Sequence, residues 1–383
     1  MSLSVGIVGL PNVGKSTLFN ALLKRQQAYV ANFPFATIEP NIGVVPVPDS
    51  RLDKLASVIR DEEIKRLSNE NKLNNLVTQS LNNFPPIVPA TVEFVDIAGL
   101  IKGASQGEGL GNKFLSHIRE VNAICHVVRS FTDPDIIKQG ISDPKTDLEV
   151  VQTELALADL QTLEKQKDPG NTSDKELKKR WEIIQKFKEI LSRTTSLHSD
   201  VVNDEELKIA KELGLLTVKP ILVVLNVDET ELRDGNKVEI KDASEVGLNP
   251  SQVVAISAKI ESELSNLSET DQKTFMDELG VKASGLERLI KKAFETLGLI
   301  TFLTAGEKEV RAWTLRAGSD ALRASGEIHT DFIKNFIKTD ICAFSDFVEA
   351  GGWKAARENG KVRSEGKEYI MRDGDVVEFR IGS

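Results

Sequence analysis

Short apolar runs recur along the chain between residues 4 and 260, each followed by small or polar residues. They are Val5-Gly6-Ile7-Val8, the alternating Thr91-Val92-Glu93-Phe94-Val95, Ala123-Ile124-Cys125-His126-Val127-Val128-Arg129, Pro220-Ile221-Leu222-Val223-Val224-Leu225-Asn226 and Val253-Val254-Ala255-Ile256. Runs of this length bounded by loop residues read as buried strands. Between them lie stretches with helical apolar spacing, the first being Leu18-Phe19-Asn20-Ala21-Leu22-Leu23. Strands alternating with helices predict an α/β fold built on a doubly wound parallel sheet, whose ligands sit at the carboxyl ends of the strands.

The pattern changes twice. From about 144 to 212 the chain is charged and helical in period: Leu177, Trp181, Ile184, Phe187 and Leu191 form one stripe, and Leu148, Val151 and Leu155 begin another upstream. The turn signal Asp168-Pro169-Gly170-Asn171 separates them. This predicts an inserted helical hairpin, coiled-coil-like, with two ordinary packed helices as the plainer alternative. Past residue 300 the texture is that of a small α+β domain. Val310–Leu315 reads as a strand, Asp331–Ile337 as a helix, and Tyr369–Arg372 with Val376–Phe379 as a closing hairpin. Residues 60–86 are polar and show no clear period, so they read as a surface insertion contributing little to any core. The expected domains are 1–300 and 301–383.

Length and composition suit a globular protein of two or three domains. The net charge of −9 offers no overall basic field for nucleic acid or membrane, so no DNA or membrane partner is expected and any RNA contact must be local. Two cysteines without metal-ligand spacing, Cys125 and Cys342, suit a reducing compartment. The first strand begins almost at once, which leaves no room for a signal peptide. A cytoplasmic monomer is the expectation.

The strongest chemistry lies in Gly9-Leu10-Pro11-Asn12-Val13-Gly14-Lys15-Ser16-Thr17, placed between the first strand and the first helix. That is the P-loop pattern in its required context. The backbone from Asn12 to Thr17 would cradle phosphate oxygens at the helix N-terminus. Lys15 supplies a point charge for the β- and γ-phosphates, and the Ser16 hydroxyl suits Mg²⁺. Downstream, Thr37 stands in a proline-punctuated loop where a switch threonine would reach Mg²⁺ and the γ-phosphate. Asp96-Ile97-Ala98-Gly99 follows a strand as D-x-x-G: Asp96 would hold Mg²⁺ through water, and the Gly99 N–H would meet the γ-phosphate. Gly103, Gly107, Gly109 and Gly111 loosen the segment that follows.

The base end is expected at Asn226-Val227-Asp228-Glu229 and Ser257-Ala258-Lys259. A guanine-reading motif ends in aspartate, which accepts from two guanine donors. Here Glu229 occupies that place with an extra methylene, and adenine has no donor to lose, so ATP is expected over GTP. Asp228, one residue early, is the alternative acceptor. Where Ras-like enzymes carry a water-orienting glutamine this chain has Leu100, which predicts slow intrinsic turnover. Asn12 stands where related GTPases hold a potassium ligand, making K⁺ a candidate second cation. His126, inside an apolar strand, reads as a core residue before a catalytic one, and His117 has no stronger claim.

Taken in order, Gly9–Thr17, Asn32-Phe33-Pro34-Phe35-Ala36-Thr37, Asp96–Leu100 with Lys102-Gly103-Ala104-Ser105, and Asn226-x-x-Glu229 resemble the YchF, or Obg-like ATPase, family of P-loop proteins. The resemblance extends to Gly326-Glu327-Ile328-His329-Thr330-Asp331-Phe332 and Asp373-Gly374-Asp375, which look like that family's C-terminal TGS domain, a ubiquitin-like β-grasp. It implies an ATPase that also handles GTP, a helical arm and association with ribosomes. The stretch 60–86 is longer than the family pattern leads one to expect. A nucleotide-hydrolysing switch is thus the leading reading. A nucleotide-stabilised scaffold with incidental turnover and a GTP-preferring switch are the alternatives, and the glycine-rich 99–111 segment favours a switch.

Overall fold

The structure, a computed structural model, describes residues 3–32, 41–69, 84–97, 110–131, 144–197, 202–232, 243, 248–281 and 283–382. The chain forms two compact units: Met1–Val45 with Val92–Leu297, and Pro46–Thr91 with Gly298–Ser383.

The first unit opens with β1 (Ser4–Val8), α1 (Lys15–Asn32) and β2 (Ile42–Pro46). The chain then contributes α2 (Arg51–Asn69) and β3 (Ile87–Val88) to the second unit. It returns as β4 (Thr91–Asp96), α3 (Leu110–Glu120), β5 (Ala123–Arg129), α4 (Pro144–Glu164), α5 (Lys175–Arg193) and α6 (Asp204–Glu212). It closes with β6 (Ile221–Asn226), α7 (Glu229–Leu232), β7 (Val253–Ile256), α8 (Ala258–Leu264), α9 (Glu269–Leu279) and α10 (Gly285–Thr296). The sheet runs β2-β4-β1-β5-β6-β7, with β1 parallel to β4 and β5, and β6 parallel to β5 and β7. Both faces of β1, β5, β6 and β7 are covered, which is why they read as nearly unbroken apolar runs, whereas β2 and β4 alternate. Register sets Ile7 beside Asp96, Val8 beside His126, and Arg129 beside Asn226. The expected doubly wound sheet is present, and its motif-bearing strand ends lie along one edge.

The helical pair differs from its sequence pattern in one instructive way. Leu148 packs among Val128, Val223 and Leu225, while Val151 and Leu155 pack against α3 and β5. That upstream stripe therefore serves the sheet. The face of α4 that meets α5 is a different one, Ala156 with Leu160 and Leu163, set against Ile183, Ile184, Phe187 and Leu191. Trp181 packs at the margin of this cluster, whereas Leu177, the first member of the predicted stripe, is exposed. The N-terminus of α5 is capped by Asp174, whose carboxylate accepts from the Glu176 and Leu177 amides.

In the second unit β8 (Leu299–Ala305) and β9 (Val310–Arg316) form an antiparallel pair. Then come α11 (Ala321–Ile328), α12 (Thr330–Lys334), β10 (Phe336–Ala343), α13 (Phe344–Ala350), α14 (Trp353–Glu358), β11 (Arg363–Glu365) and β12 (Asp375–Ile381). The sheet order is β11-β10-β12-β8-β9-β3, with β12 parallel to β8 and antiparallel to β10. Ala321 and Ala324 of α11 pack on Phe302, Leu315, Ile341 and Val377. This helix on a mixed sheet is the β-grasp arrangement expected. Two local readings are corrected. The helix expected over 331–337 stops at Lys334, because Phe336 and Ile337 open β10. Tyr369–Arg372 makes no hairpin with β12: Ile370 bridges Asp320, and β12 lies between β10 and β8.

Residues 60–69, expected as a surface insertion without period, are the second half of α2. Leu67 is buried there, and Arg66 pairs with Glu307 at 2.6 Å. Its first half buries Leu52, Leu55, Ala56 and Ile59, the i, i+3, i+4, i+7 face of a helix. Residues 70–83 lie outside the described residues. The seam after Leu297 lies near the boundary expected at 300. Residues 46–91, assigned by position to the first domain, group instead with the C-terminal residues, because β3 extends that sheet and α2 packs against β8 and β9. Arg51 locks this arrangement. It makes a two-pronged ion pair with Asp49, reaches Asp373 at 2.7 Å and donates to Thr301 Oγ1 at 2.7 Å, and Asp373 in turn accepts from the Thr301 amide.

Candidate functional site

The loop after β1 is shaped by backbone that only certain residues adopt. Gly9 has φ 151°, and a Cβ there would lie 2.3 Å from the Val127 carbonyl oxygen. Gly14 has φ 99°, and its Cβ would fall 2.3 Å from Asn226 Nδ2. Asn12 takes φ 62°, a left-handed conformation that asparagine tolerates. The loop ends at the first turn of α1, where the Leu18 amide donates to the Gly14 carbonyl. Ser16 and Thr17 are exposed there.

Asn226, at the end of β6, is buried between two loops. Its Nδ2 donates to the Val13 carbonyl at 2.9 Å, and its Oδ1 accepts from the Ala258 amide at 2.9 Å. One side chain thus clasps the P-loop to the β7–α8 turn. The result is a cavity of about 1260 Å³ lined by Asn12, Gly14, Lys15, Ser16 and Thr17, by Asn226, Val227 and Glu229, and by Ser257, Ala258 and Lys259. Of the sequence candidates, Val13 reaches this site through its carbonyl. Asp96 enters through its electrostatic coupling to Lys15. Thr37, Gly99 and Leu100 lie outside the described residues. Phe131, Thr230, Ser262 and Glu263 also line the cavity and carry no motif of their own. Phe131 follows the C-terminal end of β5 closely, a position the strand-end rule for α/β sheets flags. Asp228 lines it beside Glu229, so both carboxylates considered for the base end are present.

The electrostatics are those of a site short of counter-charge. Lys15 is 9% exposed, and its ammonium donates to the Leu10 carbonyl at 2.6 Å. Burial holds its pKa below the ordinary lysine value, with Asp96 opposing the shift. Burial likewise raises the Asp96 carboxyl, and Lys15 opposes it. A hydroxyl at Ser16 and a carboxylate at Asp96 are the hard oxygen donors that Mg²⁺ takes alongside substrate phosphate, so the residues fit that ion. His126 is enclosed, and its Nε2 has no hydrogen-bond partner among the described residues. Burial, aided by the charge on Lys15, lowers its pKa to about 3, so the ring is neutral near pH 7. His117 lies exposed on α3.

Comparison with known proteins gives two family matches: one described as a 50S ribosome-binding GTPase over residues 4–154, and one described as YchF-GTPase C-terminal, of unknown function, over 299–382. The ribosome-binding ATPase YchF of Bacillus subtilis is 45% identical over 387 residues, covering 99% of both chains. That of Haemophilus influenzae is 43% identical over 386 residues with the same coverage. The solved structure of the Schizosaccharomyces pombe YchF GTPase superposes with a TM-score of 0.81 at 35% identity, covering 99% of this chain and 98% of the other.

Proposed function

The chain belongs to the YchF family, and from that premise we propose that it hydrolyses ATP, in preference to GTP, as a slow nucleotide-dependent switch that associates with ribosomes. The observation that carries the reading is the single cavity in which the P-loop, the end of β6 and the β7–α8 turn converge beside a desolvated Lys15.

Phosphoryl transfer to water asks the protein for position and charge compensation rather than covalent chemistry. Backbone amides from Asn12 to Thr17 orient the phosphates, and Lys15 meets the charge of the β- and γ-oxygens. Ser16 and Asp96 would hold Mg²⁺, with Thr37 and the Gly99 amide assigned from sequence to complete the γ-phosphate contacts. When bound, Mg²⁺ neutralises charge on the phosphates. Leu100 cannot orient water, so turnover stays slow without help. K⁺ held at Asn12 is the candidate for extra charge, and equal rates in potassium and sodium salts would remove it.

At the base end, Phe131 offers an apolar ring and Glu229 stands one methylene further out than a guanine-reading aspartate. Asn226 Oδ1 keeps a lone pair for the adenine amino group. Asp228 in the same wall favours the second reading, a GTP-preferring switch. Competition of ATP against GTP, read in the wild type and in Glu229→Asp, separates the two. ATP should win by at least tenfold, about 1.4 kcal/mol, and Glu229→Asp should narrow the gap; a tenfold GTP preference in the wild type sinks the ATP reading. Ribosome association follows the names of the relatives, and co-sedimentation of the full chain with ribosomes in ATP and in ADP tests it. Among the described residues no helix is long and apolar enough to cross a membrane; a cytoplasmic location is proposed from the ribosome-binding names of the relatives.

A further inference from the structure

We infer that Glu261 is a positioning residue of the cavity: its buried carboxyl sets where α8, and with it the Ser257-Ala258-Lys259 turn, stands against Asn226. The inference rests on the reading of the cavity as a nucleotide site and concerns the base end of that site.

Helix α8 has two unlike faces. Lys259, Ser262 and Glu263 line the cavity, while Ala258, Ile260, Glu261 and Leu264 are buried. Glu261 is the one ionisable group among those buried residues, at a place where an apolar side chain would pack without the cost of burying a carboxyl. Both its main chain and its side chain are engaged. Its amide donates to the Ser257 carbonyl at 3.0 Å, closing the first turn of α8. Its Oε1 accepts from the Gly285 amide at 2.6 Å, and the Leu286 amide also donates to the carboxyl, both in the first turn of α10. Burial raises this carboxyl above the ordinary glutamate value, against the two amides and the charges of Arg25 and Arg288.

Position 285 leaves room for this contact. A Cβ there would lie 2.9 Å from Glu261 Oε1 and 3.1 Å from the side chain of Ile256, the last residue of β7. Helix α10 is in turn fixed to the sheet and to α1. The Arg288 guanidinium donates to the Ala255 carbonyl at 2.6 Å, Lys292 donates to the Pro250 carbonyl at 3.1 Å, and Arg25 of α1 pairs with Glu287 at 2.7 Å. Since α1 starts at Lys15, the helices α1, α10 and α8 form a frame running from the phosphate end of the cavity to its base end. Apolar packing is non-directional and would let α8 turn or slide on α10. The bonds from Glu261 to an anchored pair of amides remove that freedom. They keep the Ala258 amide at 2.9 Å from Asn226 Oδ1.

The test measures binding of ATP and of inorganic tripolyphosphate, both with Mg²⁺, to the full-length protein. Tripolyphosphate engages the phosphate end alone, so a misplaced base end separates the two ligands where a general loss of fold does not. Glu261→Ala strands buried donors and should weaken ATP by about tenfold or more while tripolyphosphate stays within about twofold. Glu261→Gln keeps an acceptor for the Gly285 amide and should hold ATP within about threefold of the wild type. Gly285→Ala, whose methyl displaces the carboxyl, should weaken ATP alone, and it decides if Glu261→Ala does not fold. Unchanged ATP affinity in Glu261→Ala or Gly285→Ala overturns the inference, as does an equal loss for ATP and tripolyphosphate. So does a Glu261→Gln variant as weak as Glu261→Ala. A wild type that binds neither ligand removes the reading of the cavity and the positioning role with it.

Discussion

Two corners of the molecule have the same ingredients and opposite electrostatics. In the first unit Lys15 faces Asp96 beside Gly14; in the second Arg51 faces Asp373 beside Gly374, whose Cβ position is 2.7 Å from the guanidinium. At the P-loop, burial depresses the ammonium and raises the carboxyl, so each group is pushed toward neutrality. At the other corner the Asp49 hydrogen bond, with help from Asp373, raises Arg51 against its burial. Burial alone would raise the Asp373 carboxyl, but the Thr301 amide and Arg51 outweigh it and hold it below the usual range. A cation engaged on all sides is a structural tie. One left desolvated with a single carbonyl partner among the described residues has capacity for an anion, and perturbation by burial at a cleft is where function is sought.

The largest expected effect comes from removing the under-partnered cation. Lys15→Ala should weaken ATP binding by about a hundredfold or more, near 2.7 kcal/mol, and change unfolding by less than about 1 kcal/mol, since a desolvated charge is lost with its bond. Titration calorimetry beside thermal unfolding measures both, and unaltered affinity would mean that the two corners do not differ in kind.

Next comes the saturated cation. Arg51→Met keeps the apolar stem and strands Asp49, and should destabilise the second unit by about 2 kcal/mol while ATP affinity holds. Trp313 and Trp353 lie in that unit and Trp181 in the first, so fluorescence-monitored urea unfolding in a Trp181→Phe background reads the right transition. Loss of ATP binding in Arg51→Met would break the comparison from the other side.

The smallest effect concerns pH. A carboxyl whose folded pKa is depressed adds stability above its unfolded value, and that contribution disappears as pH falls through the folded value. The wild type should therefore exceed Asp373→Asn in stability near pH 7, with the gap closing below about pH 4, the ordinary aspartate value. Because the Asp373 side chain is 53% exposed, the gap should be under about 1 kcal/mol. Asp96 has the opposite sign: its raised carboxyl takes up a proton as pH falls toward the aspartate range from above, and Mg²⁺ affinity should weaken there first. A gap for Asp373→Asn that widens in acid would reverse the assignment.

Legibility in the sequence followed the same division. Phosphate binding needs consecutive backbone amides, so Gly9–Thr17 announces itself locally; the strand ends bearing Asn226 and Ser257 were readable because those buried parallel strands are apolar throughout, and the one bearing Asp96 because it alternates. Phe131, Thr230, Ser262 and Glu263 were not, since a wall of the cavity needs only proximity. Neither was the membership of α2. Its stripe at Leu52, Leu55, Ala56 and Ile59 is regular, but what the stripe packs against is encoded beyond residue 298. The two faces of α4 blurred for a related reason: one helix serving two cores shows no single stripe, and Leu148, Val151 and Leu155 spoke for the sheet.

The interleaving of the two units also has a consequence in time. A ribosome making this chain releases the Leu52–Ile59 face early, yet its sheet partners from β8 onward follow only after residues 92–297 have emerged. At ordinary elongation rates that interval is about 10–40 s. Throughout it the nascent chain displays an apolar helix face whose own sheet partners are not yet made, while the P-loop unit can already fold. The second unit is thus the last part to become native, and the α2 face is the part of the chain longest in need of a chaperone.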